Sequence, residues 1–346
     1  MKQKIFFIFH TLVVSLLILI AIEGLLRVLV HVKYGRPGKS YGIWEYDPIL
    51  GADHRSNGYN SLTSTNNYGF RNEEDVFEPN PKNSIRVIAF GGSTTYGHSL
   101  KDRETYSYLL QEKLRKISGL EKSQVLNAGR VSYASSQSFE IMKKVIPKLK
   151  PDYAIIYEGI NEGCNSHYLV KDGYSLDDLL KRQEYGVMGK SFPQHSWVTR
   201  DLLIVKLLDR WTKTRKSTSL SSEEVVQNNK EFRVDLEHPW VAKNFETTIR
   251  KMLVYLKSQG VRPIVVRYAL TKTNYWGNQP LLIDIATKAA KEEGALIYDM
   301  KSDFESRPHW KDYFISTGVH VVPEGSEIIA QGLFQVIQED MRKHSS

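Results

Sequence analysis

The segment Ala89-Phe90-Gly91-Gly92-Ser93-Thr94-Thr95-Tyr96-Gly97 puts a serine directly after paired glycines at the end of an apolar run. Glycines permit a sharp turn and let another group approach the backbone closely. Three glycine-loop chemistries compete for such a stretch. A Walker-type phosphate loop needs Gly-Lys-Ser/Thr, and no Lys is present. A dinucleotide fingerprint needs Gly-x-Gly-x-x-Gly, and the spacing fails. The nucleophile elbow of α/β-hydrolases needs Gly-x-Ser-x-Gly, and Thr95 stands where its last Gly belongs. What remains is an exposed nucleophilic Ser93, set against a purely structural turn.

Three further segments bear on that choice. Leu126-Asn127-Ala128-Gly129-Arg130-Val131-Ser132-Tyr133, Glu158-Gly159-Ile160-Asn161-Glu162 and Gly318-Val319-His320-Val321-Val322-Pro323 offer backbone donors, a side-chain amide and an imidazole base. Acyl transfer by a serine needs these parts: a proton acceptor for the hydroxyl and donors for the developing oxyanion. Taken singly, His320 before a Pro-started helix reads as a capping or packing residue and Asn161 as a turn former. Their joint placement with Ser93 favours a site. His98, His167, His195 and His238 show no metal-ligand spacing, so neither a metal nor a cofactor is expected. The one cysteine, Cys164, excludes an intrachain disulfide and reads as a small buried hydrophobe rather than a nucleophile.

The elements that must position these residues alternate. Apolar strands are expected at Ile85–Phe90, Val125–Leu126, Tyr153–Tyr157, Pro263–Tyr268 and Leu296–Tyr298. Helical spacing marks Thr105–Ile117, Ser138–Leu149, Asn244–Gln259, Leu281–Glu293 and Pro323–Met341. Continuous apolar strands between amphipathic helices imply an α/β fold with a parallel sheet covered on both faces. In such sheets functional residues lie on loops beyond the carboxyl ends of the strands, which is where Ser93, the Asn127 segment and Asn161 fall. Residues 40–83, rich in Gly, Asn and Pro, read as an irregular lead-in. Residues 163–242 interrupt the alternation with a helix candidate at Thr199–Trp211 and a polar run at Thr212–Glu224.

These four segments, in this order, resemble the motif blocks of the SGNH hydrolase superfamily, the GDSL-like esterases. Gly91-Gly92-Ser93 is similar to its Gly-Asp-Ser block, with Gly for Asp. Gly159-Ile160-Asn161-Glu162 is similar to Gly-x-Asn-Asp, with Glu for Asp. Thr317-Gly318-Val319-His320 is similar to Asp-x-x-His, with the Asp missing. Asn66-Asn67-Tyr68-Gly69-Phe70-Arg71 resembles a segment of membrane-anchored bacterial members. The resemblance covers roughly residues 45–162 and 245–340. It implies a three-layer α/β/α sandwich with a flavodoxin-like parallel sheet, Ser93 as nucleophile and His320 as general base. It also implies an oxyanion hole from the N–H groups of Ser93 and Ser132 and the Nδ2 of Asn161. A triad Asp would orient and stabilise the imidazolium. Here Thr317 could orient His320 through its hydroxyl, Asp312 or Asp303 could fold into place, or catalysis has been lost.

The N-terminus reads as an anchor. Ile5–Ile22 holds no formal charge, and with the Glu23–Arg27 pair at i,i+4 the run Ile5–Val32 is long enough to cross a bilayer. Residues 1–40 are thus expected as a transmembrane anchor and flank. Residues 41–346 are expected as the hydrolase-like domain, with an insert at about 163–242. Membrane-tethered relatives of this type imply a cytoplasmic N-terminus and an extracytoplasmic domain. Charge is unevenly spread: Lys and Arg total 47 against 39 Asp and Glu, net +8. Residues 1–40 carry +5, residues 181–217 carry +6, and the remainder carries −3. The surplus therefore points to anionic lipid heads or an acidic polymer rather than to nucleic acid, for which no recognition motif is present. The expected activity is a membrane-anchored serine esterase or acyltransferase. Its substrate would be an ester-bearing carbohydrate or lipid, such as an O-acetylated envelope glycan or lipid-linked sugar. The alternative is a catalytically degenerate binding or assembly protein on the same fold, holding a glycan or a membrane-protein partner.

Overall fold

The structure, a computed structural model, describes residues 2–34, 38–47, 49–162, 202–205, 208, 239–271 and 278–344. Helix α1 (Lys2–Tyr34) includes the stretch Phe6–Lys33, long and apolar enough to cross a membrane and packed against little else. Its 28 residues rise about 42 Å, beyond the roughly 30 Å of a bilayer's hydrocarbon core.

The lead-in is not irregular throughout. β1 (Ser40–Tyr41) pairs in parallel with β4 (Gly58–Tyr59), and β2 (Trp44–Asp47) pairs antiparallel with β3 (Gly51–His54). Such two- to four-residue pairings leave no periodicity to read among Gly and Asn residues.

The main domain runs β5 (Arg86–Gly91), α2 (Ser93–Tyr96), α3 (Tyr106–Arg115), β6 (Gln124–Asn127), α4 (Ser135–Leu149), β7 (Tyr153–Tyr157), α5 (Pro239–Ser258) and β8 (Arg262–Val266). It continues through α6 (Gln279–Glu292), β9 (Leu296–Tyr298), α7 (Met300–Glu305) and α8 (Pro323–His344). All pairings among β5 to β9 are parallel, in the spatial order β6-β5-β7-β8-β9. That is the flavodoxin-like order, with its topological switch between β5 and β7.

Alternation along each strand divides the core. Val87 and Ala89 of β5, Ile155 of β7 and Ile264 of β8 face a layer holding Leu110 of α3, Phe304 of α7 and Leu333 of α8. Ile88 and Phe90, Ile156 and Val265 face the other layer, with Met142 of α4, Ile249 of α5 and Ala289 of α6. The result is a three-layer α/β/α sandwich whose central strands are buried on both faces.

α5 begins at Pro239, within the stretch 163–242 that interrupts the strand and helix alternation of the sequence. Of the helix candidate Thr199–Trp211, the described residues show helix only at 203–205 and 208. The polar run Thr212–Glu224, Cys164, His167, His195 and His238 lie outside the described residues.

Candidate active site

β5 ends at Gly91, and the chain turns through Gly92 into α2, whose first residue is Ser93. The turn is glycine-dependent for lack of space. A Cβ on Gly91 would lie 2.4 Å from the Tyr157 carbonyl oxygen, and one on Gly92 would lie 2.5 Å from Asn161 Nδ2.

Two side chains fix this turn from outside it. Asn127, at the end of β6, donates through Nδ2 to the Thr95 carbonyl (2.9 Å) and to Ser107 Oγ (3.0 Å). Arg71, buried in the lead-in, donates to the carbonyls of Tyr96 (2.8 Å) and Gly97 (2.7 Å) and pairs with buried Asp102 at 3.1 Å. Asp102 also accepts from the backbone N–H and the hydroxyl of Ser64. The Asn66–Arg71 segment thus supplies the clamp on the C-terminal end of α2.

His320 reaches Ser93 from the loop before α8, 227 residues away in the chain. An isolated bridge between Phe314 and Val321 and a hydrogen bond from Ile315 N–H to the His320 carbonyl (2.9 Å) hold that loop. His320 Nε2 lies 2.8 Å from Ser93 Oγ. Its Nδ1 lies 3.0 Å from Thr317 Oγ1, which also accepts from the His320 backbone N–H at 3.4 Å. The two carboxylates considered for this role are elsewhere. Asp303 accepts from the Tyr298 hydroxyl (2.8 Å) and pairs with Arg307 (2.9 Å), and Asp312 is exposed on the 3-10 turn Trp310–Tyr313.

With the proton on Nδ1, the ring donates to Thr317 and Nε2 accepts from the serine hydroxyl. Burial disfavours the imidazolium and the nearby His98 adds to this, so the His320 pKa is lowered to about 4. The His98 ring centroid is 4.9 Å from that of His320. The imidazole is therefore neutral, hence a proton acceptor, across the neutral pH range. Ser93 and His320 line, with His98, Leu100, Tyr157, Val319 and Ile329, a pocket of about 10 Å³, room for about one water.

Asn161 and Ser132 are the other oxyanion candidates. Asn161, just past β7, donates one Nδ2 hydrogen to the Tyr133 carbonyl (2.9 Å), which holds the amide against the Gly92–Ser93 peptide. Ser132 adopts a left-handed backbone with φ 65°, a conformation that costs a non-glycine residue about 1–3 kcal/mol. Ser132 thus holds a backbone conformation that glycine adopts freely.

Sequence reasoning missed the brace between these loops. Glu162 is buried and accepts from the N–H (2.8 Å) and the hydroxyl (3.1 Å) of Ser135 at the start of α4. It ties the Asn161 loop to the loop that carries Ser132 and Tyr133. Burial pushes Glu162 up to about 7, and burial with repulsion from Glu162 pushes its neighbour Glu158 well above the carboxylate range. The Glu at the fourth position of Gly159-Ile160-Asn161-Glu162 was the available signal. Among the described residues, no group of three or more His, Cys, Asp or Glu could hold a metal ion.

No family model matches the sequence, and no curated protein matches it. Solved structures do align with the chain. A lipase/acylhydrolase from Enterococcus faecalis is 14% identical over 74% of this chain and 96% of its own, with a TM-score of 0.46. The acetyl xylan esterase AlAXEase is 15% identical over 73% of this chain and 100% of its own, with a TM-score of 0.45. The psychrotrophic esterase EstA from a Pseudoalteromonas species is 11% identical over 75% of this chain and 100% of its own, also with a TM-score of 0.45.

Proposed function

We propose that the chain is a membrane-anchored serine ester hydrolase or acyltransferase of the SGNH type, working through a Ser93–His320 dyad oriented by Thr317. The 2.8 Å contact between Ser93 Oγ and a neutral His320 Nε2 carries this reading. Ser93 Oγ attacks the ester carbonyl while its proton passes to Nε2. The oxyanion takes hydrogen bonds from the Ser93 and Ser132 N–H groups and from the second Nδ2 hydrogen of Asn161. Collapse breaks the bond to the alcohol, which leaves with the proton held on Nε2. Water, or an acceptor hydroxyl in a transferase, then attacks the acyl-serine with His320 again as base. The substrate class is a small ester, such as an O-acetyl group on an envelope glycan or a lipid-linked sugar.

α1 anchors the chain with its N-terminus in the cytoplasm and the sandwich outside. The +6 charge of residues 181–217 suits attraction to anionic lipid heads. One observation favours the second reading, a binding or assembly protein on the same fold: Thr317 offers His320 a hydroxyl and no charge. Turnover of p-nitrophenyl acetate separates the two. The hydrolase reading expects hydrolysis that Ser93→Ala and His320→Ala each abolish; equal rates in all three proteins would remove it.

A further inference from the structure

Where α1 meets the lead-in there is a cavity of about 620 Å³, remote from Ser93. That volume lies within the range of sites that hold small molecules. Its charged lining is basic: Arg27 from the last turns of α1, and Lys39 and Arg55 from the lead-in, with the His31 ring of α1 beside them. Val28, Tyr59 and Leu203 provide apolar wall.

Each cation is held by a protein group outside the lining. Arg27 pairs with Glu23 at 2.8 Å, Lys39 donates to the Thr65 carbonyl at 2.6 Å, and Arg55 stands 3.8 Å from Glu45. Glu23 also accepts from the backbone N–H groups of Leu203 and Ile204, both at 3.0 Å, and so fixes the Leu203 wall against the helix. One of its wall residues, exposed Val28, belongs to the apolar stretch of α1. Cations with their own orienting partners, an apolar wall and a lipid-length helix alongside suit a molecule with an anionic head and a hydrocarbon tail.

We propose that this cavity is a binding site for the phosphate headgroup of an anionic membrane lipid, its acyl chains lying along α1 beside Val28. The inference rests on the reading of α1 as a membrane anchor and is independent of the esterase reading. A lipid seated there would fix the height of the sandwich above the bilayer and the face it presents to membrane-borne esters.

The test uses the full chain in detergent and native mass spectrometry, with dioleoyl phosphatidylglycerol and dioleoyl phosphatidylcholine in equal amounts. The expected result is retention of one phosphatidylglycerol at least about tenfold over phosphatidylcholine. Lys39→Gln/Arg55→Gln should lose that preference while keeping its far-UV circular dichroism. Equal retention of the two lipids overturns the site, as does a folded double variant that keeps the preference. Inorganic phosphate competing as well as phosphatidylglycerol would mark a free-phosphate site and overturn the lipid assignment. Should the double variant not fold, the comparison of lipids on the unaltered chain decides. A carbonate wash of vesicles bearing the chain separates the two failures: release overturns the anchor and this site with it, whereas retention without headgroup preference overturns the site alone.

Discussion

Thr317 occupies the position where a carboxylate would do most for His320, so changing it exposes how the dyad works. Thr317→Val removes Oγ1 and keeps the branched shape. The lost contact is one neutral hydrogen bond at 3.0 Å, a net of about 0.5–1.5 kcal/mol. At 1.36 kcal/mol per tenfold, kcat/KM should fall about 2- to 10-fold. Thr317→Asp moves the other way. A carboxylate about 4 Å from the imidazolium charge contributes about 4 kcal/mol at an effective permittivity near 20, a ceiling of about 10³-fold. Desolvating the new carboxylate offsets part of this, so a gain of about 10- to 100-fold in kcat/KM is expected.

The pH profile gives an independent readout. The base must be neutral, so activity of the unaltered chain should rise with pH through about 4 and then stay level to about pH 8. The Asp variant stabilises the imidazolium, raises the His320 pKa and moves that acid limb upward. The assay is p-nitrophenyl acetate hydrolysis across that range. An Asp variant with both rate and limb unchanged would refute the placing of Thr317 on Nδ1.

Three further outcomes follow from the site. Asn161→Ala should lower kcat by about 10²- to 10³-fold with little change in KM, as loss of an oxyanion donor does; steady-state kinetics on the same ester checks it. The Glu162 carboxyl is raised from 4.5 to about 7 in the fold, so its contribution is complete below about pH 4.5 and is lost as pH rises through about 7, a swing of about 3 kcal/mol. The melting temperature should therefore drop from about pH 5 to about pH 8, and Glu162→Gln should reduce that slope, with buried Glu158 contributing to what remains. Arg71→Leu leaves the buried Asp102 charge without its partner and should cost about 3–5 kcal/mol in denaturant unfolding, while Arg71→Leu/Asp102→Leu should recover part of it.

The sandwich was legible because its strands are buried on both faces and read as unbroken apolar runs. Tyr153–Tyr157 and Leu296–Tyr298 fall where the apolar runs place them. The start of α4 was less visible. It begins at Ser135 rather than Ser138, because its first turn is polar and its end groups are satisfied by Gln137 Oε1 on Ala134 N–H and by Glu162 on Ser135 N–H. No local periodicity carries a cap supplied from 27 residues away.

The same holds at the site. Ser93, Asn161 and His320 stand in recognisable motif blocks, and the fold brings them together. Arg71, Asp102 and Glu162 act through ion pairs and hydrogen bonds between distant segments, and such partners are set by topology rather than spacing. Thr317 was visible as the place where a carboxylate is missing; that its hydroxyl meets Nδ1 depends on the turn from Thr317 to His320.

If His320 acts as its base, Ser93 is an activated nucleophile. A fluorophosphonate probe applied to the full chain at about pH 7, followed by peptide mass spectrometry, tests it most directly. A single covalent adduct is expected on the peptide containing Ser93, absent in Ser93→Ala and strongly slowed in His320→Ala. An unlabelled Ser93, or an adduct at another serine that survives in both variants, would contradict it.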